Sequence, residues 1–134
     1  MFLTVFRILT NHAPPRASHA NAAAAVAGYV QGLQKRSLTT TNEYLLPSRR
    51  GRTPGMLEGL ARHRVVLENL HELQVLQTQG GASVTLQLQV CYRNPGQRHS
   101  TCQLLSRAPL GLPDVIECRH QDGSWYAATL FQVS

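Results

Sequence analysis

The chain has 134 residues, room for one domain and a tail. Its 43% hydrophobic content is that of an ordinary globular protein, and no stretch approaches the roughly 20 apolar residues of a membrane-spanning helix. Thirteen Lys and Arg against seven Asp and Glu give a formal charge of +6 and a pI near 9.9, which favours anionic partners such as RNA or an acidic lipid surface.

That charge is unevenly spread. The first acidic residue is Glu43; before it stand Arg7, Arg16, Lys35, Arg36, two histidines and an alanine-rich tract over 20–27. An acid-free, Arg-containing, Ala/Ser-bearing amino terminus has the composition of an organelle transit peptide. This predicts a leader or N-terminal extension over 1–38, a small α+β domain over 39–134 and delivery to the mitochondrial matrix. Without the leader, nine basic residues stand against seven acidic ones, so a simple solvated surface is the plainer account of the remaining charge. An ordinary N-terminal segment of a cytoplasmic protein and a secretory signal are the alternatives. Against secretion, Arg7 falls inside the apolar region and no basic residue precedes that region.

Phe2, Leu3, Val5, Phe6 and Leu9 can share one broad helical face, which suits a short amphipathic helix ended by Pro14-Pro15. Residues 20–34 have high helix propensity, and Val26, Tyr29, Val30 and Leu33 form an apolar stripe at i, i+3, i+4, i+7. This helix belongs either to the leader or to the fold. Arg36-Ser37-Leu38 before Thr39 looks like a matrix-protease site; Arg16-Ala17-Ser18 is an earlier alternative that would keep the helix.

Ser48-Arg49-Arg50-Gly51-Arg52 reads as a basic loop, and Thr53-Pro54 as an N-cap with proline at the first helical position. Met56, Leu57, Leu60 and Ala61 supply an apolar face for a helix ending near Arg64, with Glu58 and Arg62 as an i,i+4 pair. The period then changes. Residues 65–79 are β-like with an irregular middle at 68–72, and Gly80-Gly81 turns the chain. Val84, Leu86, Leu88, Val90 and Tyr92 alternate with polar residues, the pattern of a strand with one buried face. Asn94-Pro95-Gly96-Gln97 is a turn, and residues 100–108 return as a strand. After an interruption at 109–113, residues 115–120 and 125–133 form a hairpin around Asp122-Gly123. Helices followed by antiparallel strands define an α+β fold.

Arg49, Arg50 and Arg52, with Arg62 and Arg64 on the following helix, are the strongest candidate cluster. Guanidinium forks pair with phosphate in bidentate fashion, so the cluster is a candidate for RNA or lipid headgroups. Only Tyr44 lies near in sequence, which does not support base stacking. A turn centred on Pro95-Gly96 places Cys91 opposite Cys102, where a cross-strand disulfide is conceivable; a register shift of one abolishes it. Cys118 leaves an odd count, and in a reducing matrix three free thiols are the default. His63 and His71 read as structural or surface residues. Asp114 and Glu117, three apart at a strand start, point to opposite faces. Trp125 reads as core. No nucleophile elbow, phosphate loop or zinc-protease helix is present in the sequence, and no catalytic residue, metal or cofactor is predicted.

The stretch from Leu70 onward resembles the NTF2-like superfamily, through Leu73-Gln74-Val75-Leu76, the Gly80-Gly81 turn, the strand 84–93 and Asp122-Gly123-Ser124-Trp125 entering the last strand. Within it the chain looks most like the branch of the Tim44 C-terminal domain and a mitochondrial large-subunit ribosomal protein. The resemblance implies a cone of N-terminal helices packed on a strongly curved antiparallel sheet. It also implies a non-catalytic binding or assembly protein associated with ribosome, inner membrane or import machinery, in a protein complex, in contact with rRNA or an anionic membrane surface. Other superfamily members are isomerase-like or polyketide cyclase-like enzymes. That alternative expects a pocket at the mouth of the cone, with Tyr92, His120 and Trp125 as its candidate lining. A structural subunit of a larger complex is a third reading.

Overall fold

A computed structural model describes residues 4–9 and 18–133. Its elements run β1 (Thr4–Leu9), α1 (Ala22–Gln34), α2 (Leu38–Tyr44), a 3₁₀ helix (Pro47–Arg52), α3 (Thr53–Arg62), β2 (Val66–Thr78), β3 (Gly81–Tyr92), β4 (Thr101–Leu104), a 3₁₀ turn (Leu105–Arg107), β5 (Val115–Gln121) and β6 (Ser124–Ala127). The three helices pack on a strongly curled antiparallel sheet that forms a half-barrel, so the fold is α+β as expected. The strand order is β1-β2-β3-β5-β6, and β4 shares one side of β3 with β5.

The alternation read in the sequence builds the inner face of β3. Ala82, Val84, Leu86, Leu88, Val90 and Tyr92 are all buried. β5 pairs Ile116 with Val84 and Cys118 with Ala82, adding both to the same face. α1 lies against this face and touches β2, β3, β5 and β6. It is buried nearly all round, from Ala22 to Leu33, as an alanine-rich helix with no charged face can be. Asn21 caps it, its Oδ1 accepting from the Ala24 amide at 2.8 Å. The hydrophobic core therefore runs without a break across position 38, joining residues 22–33 to residues of every later layer.

Two glycines let α2 approach α1. A Cβ on Gly28 would lie 2.5 Å from the Tyr44 ring, and one on Gly32 would lie 2.6 Å from the Thr41 backbone nitrogen. The Tyr29 hydroxyl donates to the Thr129 carbonyl and accepts from the Phe131 amide, both at 3.0 Å, tying the C-terminal segment over the helix. That burial holds the phenol well above its ordinary pKa.

Several elements differ from expectation. Thr4–Leu9 is a β-strand paired with β2 from Leu76 to Leu73 and beyond, not an amphipathic helix. The unpaired edge of β2 offers a ladder, and the β-branched and aromatic residues there suit a strand. The Pro14-Pro15 stop and the Arg16-Ala17 site lie outside the described residues. Arg36-Ser37-Leu38 forms the turn from α1 into α2: Arg36 takes φ 54°, and Ser37 caps α2 through the Thr40 amide. The basic stretch before Thr53 is a 3₁₀ helix running directly into α3, so Thr53 is not a cap. Its hydroxyl donates instead to Asn42 Oδ1. The second strand over 100–108 shortens to Thr101–Leu104, and the last stops at Ala127, where the chain crosses back over α1. The irregular middle of β2 is a register shift between Glu68 and Glu72, with Asn69 at φ 57°.

Candidate anion-binding cleft

α3 is ten residues long and ends at Arg62, which places the candidate arginines at its two ends, about 15 Å apart. Arg49, Arg50 and Arg52 stand before its N-terminus. Arg49 and Arg52 are exposed, whereas Arg50 folds back. The Arg50 Nε donates to the Leu45 carbonyl at 3.2 Å, and its guanidinium lies 6.0 Å from the centre of the Tyr126 ring. His19 stacks on Tyr44 with centroids 4.7 Å apart and lies 5.1 Å from Tyr126. This aromatic group closes the free side of β6: Trp125 donates its amide to the His19 carbonyl, and Leu46 donates to the Ala127 carbonyl. The five-arginine cluster thus divides, and Arg50 serves packing.

At the other end of α3 a different set converges. The chain leaves the helix through His63 and Arg64, the latter at φ 48°. The Arg93 amide donates to the His63 carbonyl at 2.9 Å, and His63 Nδ1 lies 3.3 Å from Asn94 Oδ1. These contacts bring the β3–β4 turn against the helix end. Between them opens a cleft of about 530 Å³ lined by Arg62, Arg64, Arg93, Asn94, Pro95, Gly96, Gln97 and Arg98. Every charged residue in that lining is an arginine. Arg62 also donates to Glu58 at 3.1 Å on the exposed helix face. The turn is shaped by Gly96 at φ 87° and by Asn94 and Gln97, whose amides are satisfied by Gln97 Oε1 and the Asn94 carbonyl. Four guanidiniums held around one recess raise its potential and suit a polyanion with several oxygens to share among the forks.

Arg93 and Arg98 were not among the expected site residues. They sit about thirty positions beyond α3 in the sequence, and only tertiary contact through His63 brings them to Arg62 and Arg64. Arginines flanking a predicted turn were the available signal.

The turn is held from below. Cys91 and Cys102 are register partners on β3 and β4 and form a disulfide on the outer face of the sheet. Cys118 is a free, buried thiol, and burial, with a lesser effect of Glu117, pushes its pKa from the ordinary 9.0 to about 12.

The expected pocket residues do not form one site. His120 and Trp125 pair with centroids 5.2 Å apart and line a shallow hollow of about 450 Å³ with Gln77, Thr78, Gly80 and Gly81. Tyr92 is buried at the opposite end of β3, its hydroxyl donating to Gln103 Oε1 at 3.0 Å. Trp125 is half-buried at the core margin. The space over the inner sheet face is taken by α1 and by aliphatic side chains of β3. Asp114 is half-buried, and Glu117 accepts from Ser83 Oγ at 2.9 Å on the outer face. The side chain of His71 lies outside the described residues. Among the described residues no group of His, Cys, Asp and Glu is arranged to hold a metal ion, and no helix is long and apolar enough to cross a membrane.

Compared with known protein families, with curated proteins and with solved structures, the chain matches none.

Proposed function

We propose that this chain is a non-catalytic binding or assembly protein of the mitochondrion, and that it takes the phosphate backbone of an RNA in the cleft formed by Arg62, Arg64, Arg93 and Arg98. The observation that carries the reading is the convergence of four arginines, from two distant segments, on one recess. Arginine suits this use because its planar fork matches two phosphate oxygens at once. RNA is favoured over a membrane surface because the recess is concave and its lining is polar, with no aromatic or large aliphatic side chain to enter the acyl region. Binding there would read backbone rather than base, since among the described residues no aromatic ring lines the cleft for stacking. The mitochondrial assignment rests on the acid-free first 42 residues. The likeness to the NTF2-like, Tim44-related branch is supported only by the curved sheet under N-terminal helices, an architecture the two would share.

The test is binding of a labelled oligouridylate and, separately, of cardiolipin-containing vesicles by the purified chain. Arg62→Ala/Arg64→Ala and Arg93→Ala/Arg98→Ala should each weaken RNA binding by about tenfold or more, while Arg49→Ala/Arg52→Ala changes it little. Vesicle binding in place of RNA binding, with the same arginine dependence, would move the partner to a lipid surface. Equal loss in the Arg49/Arg52 variant would reject the cleft.

A further inference from the structure

We propose that the Cys91–Cys102 disulfide is a reversible thiol switch that sets the anion affinity of the arginine cleft. The inference rests on the cleft being the anion site. The bridge joins the end of β3 to the start of β4, and the loop it closes carries every lining residue on that side of the cleft, Arg93 and Arg98 included. β4 is four residues long and pairs only through Gln89–Leu104 to Tyr92–Thr101. Residues 95–100 are all exposed. Two arginines on this short hairpin therefore face Arg62, the last residue of α3, and Arg64 just beyond it with like charge, and repulsion favours opening. A covalent bond at the hairpin's base opposes that opening and keeps the four forks pre-organised for an anion.

The bond is accessible. Cys102 is exposed and Cys91 half-buried on the outer sheet face. A surface disulfide of this kind is open to exchange with a small thiol. In the step proposed, two thiol groups of a dithiol or of two glutathione-class monothiols supply two electrons and two protons. The S–S bond breaks to give the Cys91 and Cys102 thiols, and the reductant leaves as its own disulfide. The reverse exchange with an oxidised disulfide restores the bridge. Cys118 cannot intercept either direction, because it is 2% exposed, buried under the sheet with its thiol protonated.

The experiment measures oligouridylate affinity of the full chain by fluorescence anisotropy, oxidised, then reduced with dithiothreitol, then reoxidised with oxidised glutathione. Circular dichroism and thiol alkylation are read at each stage. The switch predicts about tenfold weaker binding on reduction, full recovery on reoxidation, and an unchanged dichroism spectrum. Two thiols, those of Cys91 and Cys102, should alkylate after reduction. The Cys91→Ser/Cys102→Ser chain should bind at the reduced level whether or not reductant is present. If affinity is equal in both redox states while Arg62→Ala/Arg64→Ala still weakens it, the switch is overturned and the cleft stands. If those arginine substitutions leave the affinity of the oxidised chain unchanged, the cleft reading fails and takes the switch with it. Loss of the folded spectrum on reduction would make the bridge structural and overturn the switch.

Discussion

Cys118 shows how one buried group ties the core to solution conditions. Its side chain sits in the sheet's inner face with its pKa pushed up to about 12. A thiol whose folded pKa is raised contributes stability that is fully present below its ordinary value. That stability is lost as pH rises through the folded value, because the unfolded chain sheds the proton first. The loss should begin near pH 9.0 and finish near pH 12, at up to about 1.4 kcal/mol per pH unit. Urea denaturation of the wild type across this window should show that slope, with Tyr29 adding to it above its ordinary range. Cys118→Ala should flatten the part beginning near 9.0; an unchanged slope would contradict the burial. At this scale the sequence showed residue types but not neighbours. Arg49, Arg50 and Arg52 read as one cluster because they fall within four consecutive residues. The helical rise of α3 separates them from Arg62 and Arg64, and Arg50 is drawn to a carbonyl and a ring from elsewhere in the chain. Arg93 and Arg98 join the site through a contact across thirty residues, which no local pattern encodes.

Among the elements, the α1–α2 pair depends most on small residues. Gly28 and Gly32 lie one turn apart on the helix face that meets α2. Gly28→Ala would push a methyl group into the Tyr44 ring, a side chain that can shift. Gly32→Ala would meet the Thr41 backbone nitrogen at 2.6 Å and its Cα at 2.8 Å, which cannot move without moving the helix. Overpacking of this kind costs about 1–3 kcal/mol and sometimes more. Gly32→Ala should lie at or above the top of that range and Gly28→Ala below it, as read from denaturation midpoints. Equal, small effects would mean that α2 is not held as closely as described. The strands were the most readable elements, since strict alternation in β3 has one physical meaning, and the Asp122-Gly123 turn requires two positive φ angles that these residues tolerate. α2 was hidden because Leu38 to Tyr44 has no apolar period and only Ser37 marks its start. β1 reads as a helix in the sequence because seven apolar residues in the first nine fit a helix face or a strand, and its partner lies about seventy residues away.

For the whole molecule, the question is where any leader could end. A cut after Leu38 would remove α1, whose side chains lie at 0–4% exposure from Ala22 through Leu33 apart from Gln31 and the glycines. No comparable apolar surface remains to cover β3, so such a chain should not fold. A chain beginning at Ser18 keeps α1 and the whole buried cluster and should fold, with the edge of β2 uncovered. Comparing the two by heat-denaturation profiles tests this: a cooperative transition from the chain beginning at Thr39 would contradict it. The acid-free N-terminal composition is thus compatible with folded structure, because a buried alanine-rich helix has no use for charge.

The most direct test of the arginine cleft is the salt dependence of oligouridylate binding by the wild-type chain and by Arg62→Ala/Arg64→Ala/Arg93→Ala/Arg98→Ala. If four arginines each neutralise a phosphate, log affinity should fall with log salt at a slope of about −2.8 for a single strand. The substituted chain should bind far more weakly, with a slope near zero. A wild-type slope near zero, or one that the four substitutions leave in place, would contradict the account.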